Sequence, residues 1–361
     1  MSEVQSVSTL PGTETTTNEE ITGQTEDDVT SPTSSSTGIE LVKEQKECSS
    51  IQGETSSAEG TEITTTKERT QFPYFKVGVV EDRNKRYRRS MEDAHCYFYD
   101  FAGVEGQGFF AIFDGHAGKQ AAEWCGNHFH ETFQEVLEKN PTLPIPEVFN
   151  LTFAEADQRL NESAGKHSGC TAIAALVRTD ICDECNESEG TEIVARNGTD
   201  SAKKTYKRSL YTANVGDARA VLCRDGVAKR LSYDHKGSDV QEAKRVVDAG
   251  GFVLNNRVNG VLAVTRSLGD CSMKGCVVGA PYTTETALTE KDTFLILACD
   301  GLWDVCSDQE AVDLVKDVMD PQVASEKLLE YALQNFSMDN LSSWSRRMRA
   351  AAHMNDLIWH E

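Results

Sequence analysis

From residue 72 onward, hydrophobic residues fall into dense short runs separated by stretches of helical spacing; before that they are sparse. FPYFKVGVV (72–80) and AHCYFYD (94–100) are rich in aromatic and β-branched residues and predict strands. FFAIF (109–113) predicts a buried strand that stops at Asp114-Gly115-His116. Ala122, Cys125, Phe129, Phe133 and Val136 then recur at helical spacing to about residue 139. Phe149, Phe153, Ala156 and Leu160 mark a second helix, introduced by Pro144 and Pro146. SGCTAIAALV (168–177), SLYTANVGDARAVLCRDGVAKRL (209–231) and TFLILACDGLWDV (293–305) predict further strands. Helical patterns follow at 239–249, 308–319 and 322–335.

Polar composition sets the expected boundaries. Residues 1–70 are Ser, Thr, Glu and Gly with hardly an aromatic, and they cannot bury enough apolar surface to offset chain ordering. They are expected to form a disordered solubilising tail, a phosphorylatable regulatory tail being the weaker reading. One large domain is expected over 71–341, with 180–208 as an inserted polar loop and 342–361 as an atypical C-terminal tail. Cys182 and Cys185 make a single CxxC there, and a zinc site would need a second pair of ligands.

A net charge of −22 argues against nucleic acid or an anionic membrane as partner. Eleven cysteines without a repeating spacing point to free thiols in a reducing compartment, the cytoplasm with the nucleus as a second location. No leader pattern or long apolar run is present, so the Asn-x-Ser/Thr matches at Asn150 and Asn197 are read as chance. His128 and His130 read as ordinary surface or packing histidines. The basic run Arg83 to Arg89 admits three readings: an import signal, a solvated loop, or a loop carrying a phosphate-clamping arginine.

Asp-Gly occurs three times. Asp225-Gly226 joins two strand patterns as a hairpin turn, whereas Asp114-Gly115 and Asp300-Gly301 each terminate an apolar strand. Glu92, Asp93, Asp114, Asp217, Asp300, Asp304 and Asp339 all lie near predicted strand ends. Two such carboxylates about 4 Å apart repel by about 4 kcal/mol at an effective dielectric near 20, so their convergence calls for a cation. All-oxygen ligation favours Mg²⁺ or Mn²⁺ over Zn²⁺. A pair of these ions would acidify a shared water and clamp a transferring phosphoryl group.

RRSMEDAH (88–95), FFAIFDGHAG (109–118), SGCTA (168–172), ANVGDARAV (213–221), VTRSLGD (264–270), ACDGLWDV (298–305) and DN (339–340) resemble, in order, the motif series of the type 2C metal-dependent serine/threonine protein phosphatases. The resemblance is nearest to the small cytosolic fungal members that act on stress-activated MAP kinase pathways. It implies an α+β fold: a β-sandwich of two antiparallel sheets flanked by α-helices, in α-β-β-α layers. It also implies that Asp114 bridges two Mg²⁺ or Mn²⁺ ions, with Gly115 lending its carbonyl and Glu92, Asp300 and Asp339 completing the shell. Asp217 and Asp304 match a weaker third metal position, Arg88 would hold the substrate phosphate, and His116 would protonate the leaving oxygen. Asp93 would stand behind Glu92, while Thr171, Arg266 and Asp270 would shape the site. The implied reaction is attack of a metal-bridging hydroxide on phosphoserine or phosphothreonine of phosphoproteins, MAP kinases among them, by a monomer.

The chain departs from the family after Asn340. LSSWSRRMRAAAHMNDLIWHE lacks the alternation of the β-rich run that closes a central sheet in the family, so the final strand is expected to be missing or replaced. Unpaired N–H and C=O groups on its neighbour would cost about 1–3 kcal/mol each, against a stability of roughly 5–15 kcal/mol. The alternative reading is therefore a catalytically impaired pseudophosphatase that binds partners. A metal-dependent small-molecule phosphohydrolase is a third.

Overall fold

The computed structural model describes residues 75–163, 167–182 and 205–348. It begins with strands β1 (Phe75–Asp82), β2 (Ala94–Tyr99), β3 (Gly108–Phe113) and β4 (Gly115–His116), then helices α1 (Gln120–Lys139) and α2 (Ile145–Glu162). Next come β5 (Gly169–Cys170), β6 (Ala172–Cys182), β7 (Thr205–Val215), β8 (Arg219–Arg224), β9 (Val227–Arg230), α3 (Val240–Asp248), β10 (Val253–Leu254), β11 (Arg257–Val258) and β12 (Leu268–Gly269). The chain continues through β13 (Tyr282–Ala287), β14 (Asp292–Ala298), α4 (Asp300–Trp303), α5 (Asp308–Val315), α6 (Pro321–Gln334) and β15 (Leu341–Met348).

Two antiparallel five-stranded sheets form the sandwich, in the orders β1-β15-β14-β8-β9 and β13-β7-β6-β3-β2. The central strands read as continuous apolar runs because both of their faces are buried. Along β3, Phe109, Ala111 and Phe113 join the core beneath α1 and α2, while Phe110 and Ile112 fill the space between the sheets. Along β14, Leu295 and Leu297 face that same space, while Phe294, Ile296 and Ala298 pack with α4, α5 and α6. The layers are α-β-β-α.

The C-terminal expectation is corrected here. Residues 341–348 form β15, a central strand paired with β1 on one side and β14 on the other. Its serines are tolerated because each finds a partner. Ser345 N donates to Ser325 Oγ at 2.9 Å, Ser345 Oγ donates to Pro321 O at 2.8 Å, and Ser342 Oγ donates to Asp93 Oδ2 at 2.7 Å. The domain boundary drawn at 341 therefore falls at the start of a strand, and the argument for catalytic impairment loses its premise.

The polar insertion is also shorter than its composition predicted. Asp180, Ile181 and Cys182 pair with Lys207, Tyr206 and Thr205, since backbone ladder bonds need no apolar side chains. Residues 1–70, Cys185 and Asn197 lie outside the described residues. His128 is exposed beside Glu131, and His130 packs against the Phe98 ring. No helix among the described residues is long and apolar enough to cross a membrane.

Candidate metal centre

Asp114 leaves the end of β3, and Asp300 opens α4 directly after β14. The Asp114 carboxyl is held well above its ordinary range, first by burial and then by the charges of Asp93, Asp300, Asp339 and Asp217. Asp300 is raised in the same way by burial, then by Asp217, Asp339 and Asp304. Burial raises Asp339 as well; Arg88 opposes that, and Asp304 and Glu92 add to it. Carboxylates scattered from residue 92 to residue 339 thus act on one another in one place.

Local structure explains how they meet. A Cβ on Gly115 would stand 2.3 Å from Glu92 O, so only glycine lets the segment carrying Glu92 pass over β4. Glu92 accepts from Ser90 Oγ at 2.9 Å and from Gly118 N at 3.1 Å. Asn340 receives Glu92 N at 3.0 Å and donates to Arg83 O and Ser90 O, which ties the β1–β2 connection to the Asp339 segment. Thr171 N donates to Asp114 O at 2.8 Å. Arg88 pairs with Asp339 and donates to Met338 O.

The donor set fits a hard divalent cation. It is all oxygen, and Asp300 Oδ1 and Asp93 Oδ1 are buried without a hydrogen-bond partner. Such an orphan costs about 1–3 kcal/mol unless something binds it. Among the described residues no three His, Cys, Asp or Glu side chains already stand at metal-ligand range of one point. Cationic side chains are interposed instead. Lys236 Nζ lies 3.3 Å from Asp217 and 3.0 Å from Asp304. Burial works against the Lys236 charge, but those carboxylates outweigh it and hold its pKa above the usual value.

His116, on β4, faces Asp270 with Nε2 2.7 Å from Oδ2. Burial raises the Asp270 carboxyl, yet bonds from His116 and Ser267 outweigh it and hold the group below its ordinary value. Gly169 makes the contact possible: a Cβ there would meet Asp270 Oδ2 at 2.2 Å and His116 Nε2 at 2.5 Å. The small sheet β12-β5-β4 sets these three residues side by side. Arg266 is taken up elsewhere, donating to Glu242 at 2.6 Å and to Ala280 O at 2.9 Å. Burial works against the Glu242 charge, but Arg266 and Thr265 outweigh it and bring its pKa down to about 2.

Sequence reasoning missed Lys236, Glu242 and Ser342. Asp234-His235-Lys236, a titratable cluster just beyond a strand pattern, was the one signal available for the lysine.

A sandwich of this build, with acidic strand ends gathered at one site, defines the metal-dependent serine/threonine protein phosphatases of type 2C. Residues 77–341 match the Protein phosphatase 2C family, and the chain belongs to it. It is 45% identical over 278 residues to "Protein phosphatase 2C homolog 1" of Saccharomyces cerevisiae, covering 76% of this chain and 95% of that protein. It is 45% identical over 268 residues to the Schizosaccharomyces pombe protein of the same name, covering 74% of this chain and 71% of that one. Among solved structures, a Caenorhabditis elegans sex determining protein shares the fold with a TM-score of 0.62 at 24% identity, covering 79% of this chain and 68% of that one. Serine-threonine phosphatase 2C from Toxoplasma gondii does so with a TM-score of 0.60 at 18% identity, covering 76% and 95%.

Proposed function

We propose that this phosphatase removes phosphate from phosphoserine and phosphothreonine on proteins with two Mg²⁺ or Mn²⁺ ions held by Glu92, Asp114, the Gly115 carbonyl, Asp300 and Asp339. Asp217 and Asp304 offer a weaker third position, at which an ion competes with Lys236. Bound there, the ions supply an acidified water and positive charge for the phosphoryl group. Arg88 orients the substrate phosphate with its planar guanidinium, exchanging Asp339 for the incoming anion. His116 delivers a proton to the departing Ser or Thr oxygen. Asp270 keeps the imidazole ring turned toward that task. Resemblance to the small fungal members points to phosphoproteins of stress-activated MAP kinase signalling, in the cytoplasm and the nucleus, acted on by a monomer.

The observation that carries this reading is structural: the fold buries Asp114 among carboxylates from distant segments, Asp93, Asp300, Asp339 and Asp217, and leaves Asp300 Oδ1 buried without a hydrogen-bond partner. The test is phosphate release by the purified chain from a phosphothreonine peptide in Mn²⁺ and in EDTA. Release is expected only with the metal, and Asp114→Asn should abolish it. A folded chain that hydrolyses phosphometabolites but no phosphopeptide would overturn the protein-substrate assignment.

A further inference from the structure

The basic run that carries Arg88 has four more cations than the reaction needs. Arg83, Lys85, Arg86 and Arg89 are all exposed, and among the described residues none of the four forms an ion pair, whereas Arg88 is held by Asp339. Arg86 lies over the Tyr87 ring at 5.3 Å, which keeps its guanidinium at the surface.

A merely solvated loop has no need of fixed geometry, yet this one is pinned at both ends. Asn84 is buried with φ 55° and donates from its side chain to Ser337 O at 2.7 Å and to Asp339 O at 3.1 Å. Its carbonyl receives Tyr87 N and Arg88 N, closing the turn. Asn340 holds Arg83 O and Ser90 O from the other side. The backbone that carries the cations is therefore held against the Asp339 segment, in a chain whose net charge is −22. Met338, 67% exposed on the segment to which the loop is tied, adds apolar surface beside them.

We propose that Arg83, Lys85, Arg86 and Arg89 form an anion subsite. It recognises acidic or additionally phosphorylated side chains within a few residues of the phosphoserine or phosphothreonine being hydrolysed. The subsite deepens the phosphatase reading above and rests on it. Unpaired cations beside a cluster of carboxylates attract a flanking anion at the one place where an acidic protein would otherwise repel it.

The experiment compares three phosphothreonine peptides, with neutral flanks, with glutamate flanks and with a second phosphate, as substrates of the full chain in Mn²⁺. It uses wild type and a variant carrying Arg83→Gln, Lys85→Gln, Arg86→Gln and Arg89→Gln, with Arg88 untouched. Wild type should prefer the anionic peptides by roughly tenfold in kcat/KM at low salt, an advantage that shrinks as salt screens exposed charges. The variant should lose the preference while hydrolysing p-nitrophenyl phosphate as wild type does. The glutamate and phosphate arms tell which anion is read. Equal kcat/KM for all three peptides in wild type, or a preference that survives in the variant, would overturn the subsite. So would unchanged peptide kinetics together with lost nuclear accumulation of the variant, which would make the run an import signal. Fluorescence anisotropy of the labelled peptides separates the two readings. Salt-sensitive binding of anionic peptides that depends on the four cations, without any hydrolysis, would refute the phosphatase reading and keep the subsite; absence of both would refute both.

Discussion

Asp93 carries the clearest consequence of burial for a single side chain. Burial lifts its carboxyl to about 6, partly offset by the Ser342 hydroxyl. Between about pH 4 and pH 6 the folded state keeps a proton that the unfolded chain has released, so this group's contribution to stability falls as pH rises through that window. At neutral pH it is a net cost. Asn in its place still accepts from Ser342 and carries no charge. In EDTA, Asp93→Asn should therefore be about 3 kcal/mol more stable than wild type near pH 7, with the gap closing by about pH 4. Denaturant melts at both pH values check this, and a gap independent of pH would contradict it. At His116 the expected signature is kinetic. His116→Ala should slow phenyl phosphate, a poor leaving group, by about 10²-fold or more, and p-nitrophenyl phosphate far less. Gly169→Ala should show the same selectivity, because its Cβ would enter the His116–Asp270 contact.

At the scale of elements, β15 shows that a strand can be specified by its partners. Its hydroxyls bond to α6 and Asp93, and its backbone is paired on both sides. The neighbouring β1 meets α6 at Gly78, where a Cβ would stand 2.1 Å from Pro321 O. That atom is backbone and cannot swing aside. Ser325 Oγ, also on α6, donates to Gly78 O at 3.0 Å. Gly78→Ala should push α6 off the sheet and lower stability by about 1–3 kcal/mol or more, read as a fall in Tm with activity at low temperature largely kept. An unchanged Tm would mean that α6 does not rest on β1 as described.

At the scale of the whole molecule, the carboxylate centre joins segments from both sheets, so occupancy should be felt globally. A ligand that binds only the folded state at 100 times its Kd adds about 2.7 kcal/mol. Saturating Mn²⁺ should raise Tm by several degrees over EDTA, and Asp300→Asn should abolish most of that rise. Calorimetry with and without metal checks both. The motif series was legible in the sequence because strand ends with Asp-Gly keep their chemistry within a few residues. The convergence of Asp114 with Asp93, Asp217 and Asp300 was implied only by the family resemblance and not by local spacing, because it depends on sheet order. The pairing of Lys236 was not legible from local spacing for the same reason: its carboxylate partners, Asp217 and Asp304, come from different segments.

The local sequence by itself determined the buried strands, the amphipathic helices and the set of acidic residues, since periodicity and composition act over short spans of chain. Only the tertiary structure decided that LSSWSRRM is a central strand, that Lys236 stands among the carboxylates and that the loop from Arg83 to Ser90 is tied to the Asp339 segment. Those outcomes depend on which atoms the fold brings within hydrogen-bond and Coulomb range, and no local pattern encodes them.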